Sequence, residues 1–250
     1  MIDNKIVYSP INVAKKIDEN IWIFDGGSIS MDMYCCKIPF STRMTVIKLD
    51  NGGLWVHSPI KINEEVIKQI SKLGDVKYIV GPNKIHYAYI YEWAEHFPDA
   101  KVYAAKEIEK RAKAQNIKVK IDEILTDDVP AEWKGQIAQH VFKGSSFMEE
   151  VVFYHVASRS LILVDLIENF ESEKLSKLYA FFAKLVGVLA PGGRAPLDLR
   201  VTFMFGKAKA KNSLNIIKKW DFDNIILAHG KCVFENARDT LNESFKWLSK

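Results

Sequence analysis

The stretch Val76–Tyr87, "VKYIVGPNKIHY", decides how the chain is read. Its first five residues are strand formers, and Gly81-Pro82-Asn83 then stops the strand and turns the backbone. Beyond the turn stands one histidine, His86, with no second histidine or aspartate beside it. A loop at the end of a buried strand is where α/β proteins place polar groups that do chemistry, but a turn residue is the commoner occupant. The rest of the chain has to decide between these readings.

Before this stretch come β-rich runs, "NIWIFDG" and "MTVIKLDNGGLWVHSP", the second broken by Asn51-Gly52-Gly53 in the manner of a hairpin. Asn63 to Leu73 then sets Val66, Ile67, Ile70 and Leu73 at helical spacing, with an asparagine cap in front and Gly74 behind. After it the pattern alternates: a helix from about Tyr87 to His96, a short strand "AKVYAA", and a charged helix around Lys106 to Gln115. The second half returns to strands with "EVVFYHVASRSLILVD", turning at Ala157–Arg159. It continues with a helix pair over about Ser172 to Ala190, the strand "NIILAHG" and a last helix, "FENARDTLNESFKWL". Sheet segments with helices in both halves predict a layered α/β sandwich, a single domain over residues 1–250 with an apolar helical insertion at about 172–196.

Composition narrows the function classes. The chain has 250 residues, 48% apolar, enough for a substantial core. Thirty-five basic against 31 acidic residues, net +4, leave the surface nearly balanced, and nucleic-acid binding is not implied. The lysine-rich runs "KEIEKRAKAQNIKVK" and "GKAKAKNSLNIIKKW" read as solvated helix faces. No transmembrane segment is expected: "LYAFFAKLVGVLA" is too short and contains Lys184, so it reads as a helix that packs. Its Phe181, Phe182 and Leu185, with Val188, have a pocket, a lid or a homodimer face as alternatives to core packing. The amino terminus lacks a secretory pattern, and Cys35, Cys36 and Cys232 form neither a disulfide framework nor a zinc clip, so a cytoplasmic location is expected.

Four polar residues close apolar strands: His57 in "LWVHSP", His86, Asp165 in "LILVD" and His229 in "IILAHG". Singly, each reads as a structural residue or a cap. Together, imidazoles and a carboxylate are the donors of zinc, iron and manganese sites. Glu149 and Glu150, just before a strand, read first as solvated loop carboxylates, with the alternative that one orients a ligand, and His155 reads as packed and hydrogen-bonded.

The order of these features resembles the metallo-β-lactamase fold, an αββα sandwich. The phrases "GGLWVHSPI", "GPNKIHY", "EEVVFYH", "PGGRAP" and "WDFDNIILAHG" are similar to an uncharacterised branch of that superfamily, domain of unknown function 4336, over about Asn20 to Gly230. The resemblance implies that Asp165 and His229 match ligands of the superfamily's second metal site. It also implies losses at the first: Asn83 and Ile85 stand where two loop histidines belong, and Ser146 where the middle histidine belongs. A one-residue loop shift would bring His86 to the place of the family's loop aspartate or last loop histidine, making it the third ligand of a single surviving site. On this reading the protein is a metal-dependent hydrolase of a small-molecule substrate, with one divalent ion (Zn, Fe or Mn) on His86, Asp165 and His229. Asp165 and His57 are then its catalytic residues, and Asn83, Ser146 and Arg200 polar candidates for substrate contact. The alternative is a non-catalytic binding or scaffold protein with a degenerate, metal-free site. A di-iron redox protein would need more histidines and carboxylates at the loop.

Overall fold

A computed structural model of the chain describes residues 6–33 and 36–249, with side chains left aside at 31–38. The adjacent pair Cys35–Cys36 therefore lies outside the described side chains, while Cys232 is a buried free thiol. By density of contacts the chain divides into two compact units, Met1–Ile124 and Leu125–Lys250.

The first unit is a seven-stranded sheet whose spatial order follows the sequence. Strands β1 (Lys15–Asp18), β2 (Ile21–Met33), β3 (Cys36–Lys48) and β4 (Leu54–His57) run antiparallel to their neighbours. From β4 onward the pairing is parallel, through β5 (Val76–Gly81), β6 (Lys101–Ala104) and β7 (Glu123–Ile124). Parallel neighbours need crossovers, and the helices α1 (Glu64–Leu73), α2 (Ile90–His96) and α3 (Ile108–Ala114) supply them. The α1 boundaries follow from the caps read in sequence. Asn63 Oδ1 accepts from Val66 N at 2.9 Å, and Gly74 closes the far end by donating its N–H to Ile70 O. Only Val66 and Ile70 of this helix are buried, a narrow stripe on a solvated rod. Because β4 and β5 run parallel, with His57 opposite Val80, their carboxyl ends lie at one edge of the sheet.

The second unit holds a four-stranded sheet in the order β11-β10-β9-β8. Strands β8 (Ile137–Phe142), β9 (Glu150–His155) and β10 (Ser160–Leu163) form an antiparallel meander, and β11 (Asn224–Leu227) lies parallel to β10. Between β10 and β11 the chain makes a 3-10 turn at Ser172–Lys174 and three helices, α4 (Lys177–Val186), α5 (Leu197–Val201) and α6 (Lys207–Ile217). Helix α7 (Ala237–Ser244) follows β11. The turn at Arg159, in left-handed backbone at φ 50, aligns the parallel pair. Its guanidinium grips Asp221 and Asp223 at 2.6 and 2.7 Å, and its carbonyl accepts from Asp223 N just ahead of β11. The core here is aromatic, with Phe142 against Phe203 and Phe245 at centroid distances of 6.0 and 5.4 Å.

Two expectations are corrected. The helix pair expected over Ser172–Ala190 is one 3-10 turn and one helix, and that helix does not pack by its apolar face. Ala183 is its only buried residue, while Leu178, Phe181, Phe182 and Leu185 are 53–64% exposed. A stripe at helical spacing reports amphipathicity and not which side faces the core, so the sequence left this undetermined. Among the described residues, no helix is long and apolar enough to cross a membrane.

Loss of the asparagine cap, in Asn63→Ala, lowers stability by about 1 kcal/mol, and Asn63→Asp restores most of it. Urea-unfolding midpoints of the three proteins measure this.

Candidate functional site

The carboxylate and imidazole of the second unit meet because of strand register. In the parallel pair, Leu163 of β10 lies opposite Leu227 of β11. Asp165 and His229 each stand two residues past these partners, so they leave the sheet at the same depth from adjacent strands. Asp165 Oδ1 lies 3.5 Å from His229 Nε2, and the two side chains are 6% and 8% exposed.

Each is held by backbone contacts. Beyond Leu163 the chain has left the ladder, and its amides need other acceptors. Glu150, at the start of β9, meets that need: its carboxylate accepts from Val164 N at 2.9 Å, Asp165 N at 2.8 Å and Leu166 N at 3.2 Å. Glu150 is 1% exposed, so the expectation of a solvated loop carboxylate is corrected. Both faces of β9 are covered, and Glu150, its first residue, is buried with the rest of the strand. His229 is fixed by Asn169, whose N–H donates to His229 O at 3.3 Å, while Lys231 N donates to Asn169 O at 2.8 Å. The backbones approach closely on both sides of this segment. A Cβ on Gly230, at φ +87, would collide with the Asn169 carbonyl, and one on Gly193 with the Glu168 carbonyl. The "HG" and "PGG" phrases thus mark two glycines that clasp residues 168–169.

In the first unit the turn after β5 is built by Asn83, fully buried, whose Oδ1 accepts from Ile85 N at 2.9 Å and His86 N at 3.2 Å. This is an Asx turn, and it sets where His86 leaves the loop. Ser58, which follows β4, brings its Oγ to 2.7 Å from His86 Nδ1. His57 turns inward, 2% exposed and stacked on Trp55 at 5.4 Å between centroids. Burial, helped by the nearby His86, lowers its pKa to about 3, so this imidazole stays neutral near pH 7. A group so hard to protonate is suited to a fixed hydrogen-bonding role more than to taking up a proton in turnover.

Other predicted residues have structural partners. The Ser146 amide and Oγ both donate to Thr202 O, at 3.0 and 3.2 Å. Arg200 donates from Nε to Ala195 O at 2.9 Å and from Nη2 to Val186 O at 2.7 Å, fastening the end of α4. His155 is buried with its Nδ1 2.7 Å from Ser158 Oγ, as the sequence implied.

One neighbour of the pair was missed. Glu168 is 6% exposed, and burial, opposed by His229 and reinforced by Asp165, pushes its pKa up to about 8. In "LIENF" nothing distinguishes it from an ordinary glutamate past a strand end. It is buried because Gly193 lets the chain pass directly against it.

Two measurements follow from this geometry. Glu150→Ala leaves three buried amides without their acceptor and lowers stability by at least ~3 kcal/mol, read from the urea midpoint. The Glu168 carboxyl stays protonated in the fold up to about pH 8 but ionises near 4.5 once exposed. Its burial therefore costs nothing at low pH and destabilises increasingly as pH rises across that window. In chelator-treated protein, Glu168→Gln raises the melting temperature at pH 8 and leaves it unchanged at pH 4.

Comparison with solved structures shows the fold. DIM-1 metallo-β-lactamase aligns with a TM-score of 0.63 at 15% identity, over 94% of this chain and 96% of that one. FIM-1 metallo-β-lactamase of Pseudomonas aeruginosa, in its mono-zinc form, gives 0.62 at 11% identity, over 95% and 94%. The metal-soaked flavodiiron core Flv1 of Synechocystis sp. PCC6803 gives 0.60 at 13%, over 96% of this chain and 62% of that one. At such identities the likeness establishes the metallo-β-lactamase fold alone. No curated protein matches the chain in sequence. The family model described as a domain of unknown function, DUF4336, matches residues 18–181. With about two thirds of its length under that model, the chain, which has the metallo-β-lactamase fold, belongs to the DUF4336 family.

Proposed function

We infer that the protein is a metal-dependent hydrolase with a single divalent ion on His86, Asp165 and His229. The observation that carries this reading is the buried pair at adjacent strand ends, Asp165 Oδ1 lying 3.5 Å from His229 Nε2. The donor set suits the cation. Ligand atoms about 2.1 Å from a tetrahedrally bound ion stand about 3.4 Å apart, close to the 3.5 Å between Asp165 Oδ1 and His229 Nε2. Ser58 engages His86 at Nδ1, which leaves Nε2 for the ion, the usual division between an outer partner and a ligand atom. Two neutral imidazoles and one carboxylate leave a divalent ion one net positive charge, and an ion so placed supplies Lewis acidity toward an ester, amide or phosphate.

The chain's own residues would then orient the donors. Glu150 fixes the backbone of Asp165, Asn169 and Gly230 that of His229, and Asn83 with Ser58 the loop and ring of His86. Asn83, which takes the place of a superfamily ligand, builds the turn that presents the one imidazole kept.

Protein purified without added metal carries about one equivalent of zinc, iron or manganese per chain by elemental analysis. His86→Ala, Asp165→Ala and His229→Ala each bring it below about a tenth, and a panel of esters, lactones and phosphodiesters shows chelator-sensitive turnover. Parent protein already below a tenth and unaltered by His86→Ala, with no turnover across the panel, favours the binding or scaffold alternative.

A further inference from the structure

Helix α4 exposes what a helix normally hides. Leu178, Phe181, Phe182 and Leu185 recur at the spacing of one face and are 64%, 58%, 53% and 60% exposed. The helix is well made for a surface element, with Ser176 Oγ accepting from Tyr179 N at its start and Gly187 in left-handed backbone at its end. It is tied down from the opposite side, by Ala183 and by Arg200 donating to Val186 O. The outward face is therefore held outward.

Cations flank this face. Beside the helix runs a groove of about 640 Å³ whose lining includes Lys177, Phe181, Lys184, Leu189, Pro191 and Arg194. Among the described residues, none of these three cations has a carboxylate partner, and Arg194 Nε is buried without a hydrogen-bond acceptor. The guanidinium of Arg200 lies close enough to Arg194 for its protonated form to be disfavoured by its neighbour as well as by burial. The nearest acids along the chain, Glu171 and Glu173, precede the helix, and α4 itself contains none in its first turn.

We propose that α4 and its groove form a docking surface for an anionic phospholipid bilayer, the apolar stripe entering the acyl boundary and the groove cations meeting headgroup phosphates. Apolar side chains with lysines beside them, on a helix fixed parallel to the protein surface, are the features of helices that lie in a membrane interface. A second copy fits less well, because a two-fold pairing of this face would bring Lys177 and Lys184 of one copy up to the same two lysines of the other. A protein partner would have to set acidic groups opposite Lys177, Lys184 and Arg194 as well as cover the stripe, whereas an anionic bilayer supplies apolar depth and negative charge together.

The test is co-flotation of the full chain with vesicles of phosphatidylcholine alone or mixed with about one third phosphatidylglycerol. Partition is at least tenfold higher on the anionic vesicles and falls with added salt. Phe181→Ser/Phe182→Ser and Lys177→Glu/Lys184→Glu each reduce it at least tenfold, at about fivefold per basic residue near the surface, while melting temperatures hold because the changed residues are solvated. Four results overturn the proposal: equal partition on neutral and anionic vesicles; variants that float like the parent; a parent dimer in light scattering that the phenylalanine variant abolishes; and binding of glycerol 3-phosphate without binding to vesicles, which assigns the groove to a soluble anion.

Discussion

The second unit depends on a buried carboxylate meeting the backbone where a strand ends. Glu150 brings a carboxyl group into an interior with almost no access to water, and three amides converge on it there. The benefit is reciprocal. Amides beyond the last rung of β10 would otherwise be orphaned, and their carboxylate acceptor turns a frayed strand end into a defined loop. Asp165 inherits that definition through its own N–H. The parallel register of β10 and β11 then matches the depths of Asp165 and His229.

The same economy recurs where His86 leaves its loop and where His229 leaves its strand. In each case the restraint is a short-range feature, an Asx turn at Asn83 or the clasp of Gly193 and Gly230 on residues 168–169. A side chain carried on such a backbone loses little freedom when it binds a ligand, since its position is set by covalent geometry and not by a flexible stem.

Much of this was legible in the sequence, for identifiable reasons. Strand and helix assignments rest on periodicity and caps, which are local, and α1 with its Asn63 cap and Gly74 stop lies where the sequence put it. The strand-end histidines and Asp165 were visible because apolar runs terminate on them. What escaped depended on the third dimension. Glu150 looked like a loop carboxylate because its three acceptor contacts reach residues fourteen to sixteen positions away. Glu168 is significant only through its burial, which Gly193 permits from further along the chain. Helix α4 displayed its periodicity openly, but a stripe does not say which side of it is the inside, and here Ala183 and not the phenylalanines faces inward.

The long crossover between β10 and β11 has a kinetic consequence. The Asp165–His229 pair closes a loop that contains α4, α5 and α6, and it is a non-local pairing. Loop-closure entropy postpones such pairings until local structure has reduced the effective chain length. On the proposed function, a metal ion would meet only scattered donors in the nascent polypeptide, and would be chelated once the last parallel strand docks. Its role would then be that of a lock on a finished scaffold and not of the nucleus from which the scaffold grows.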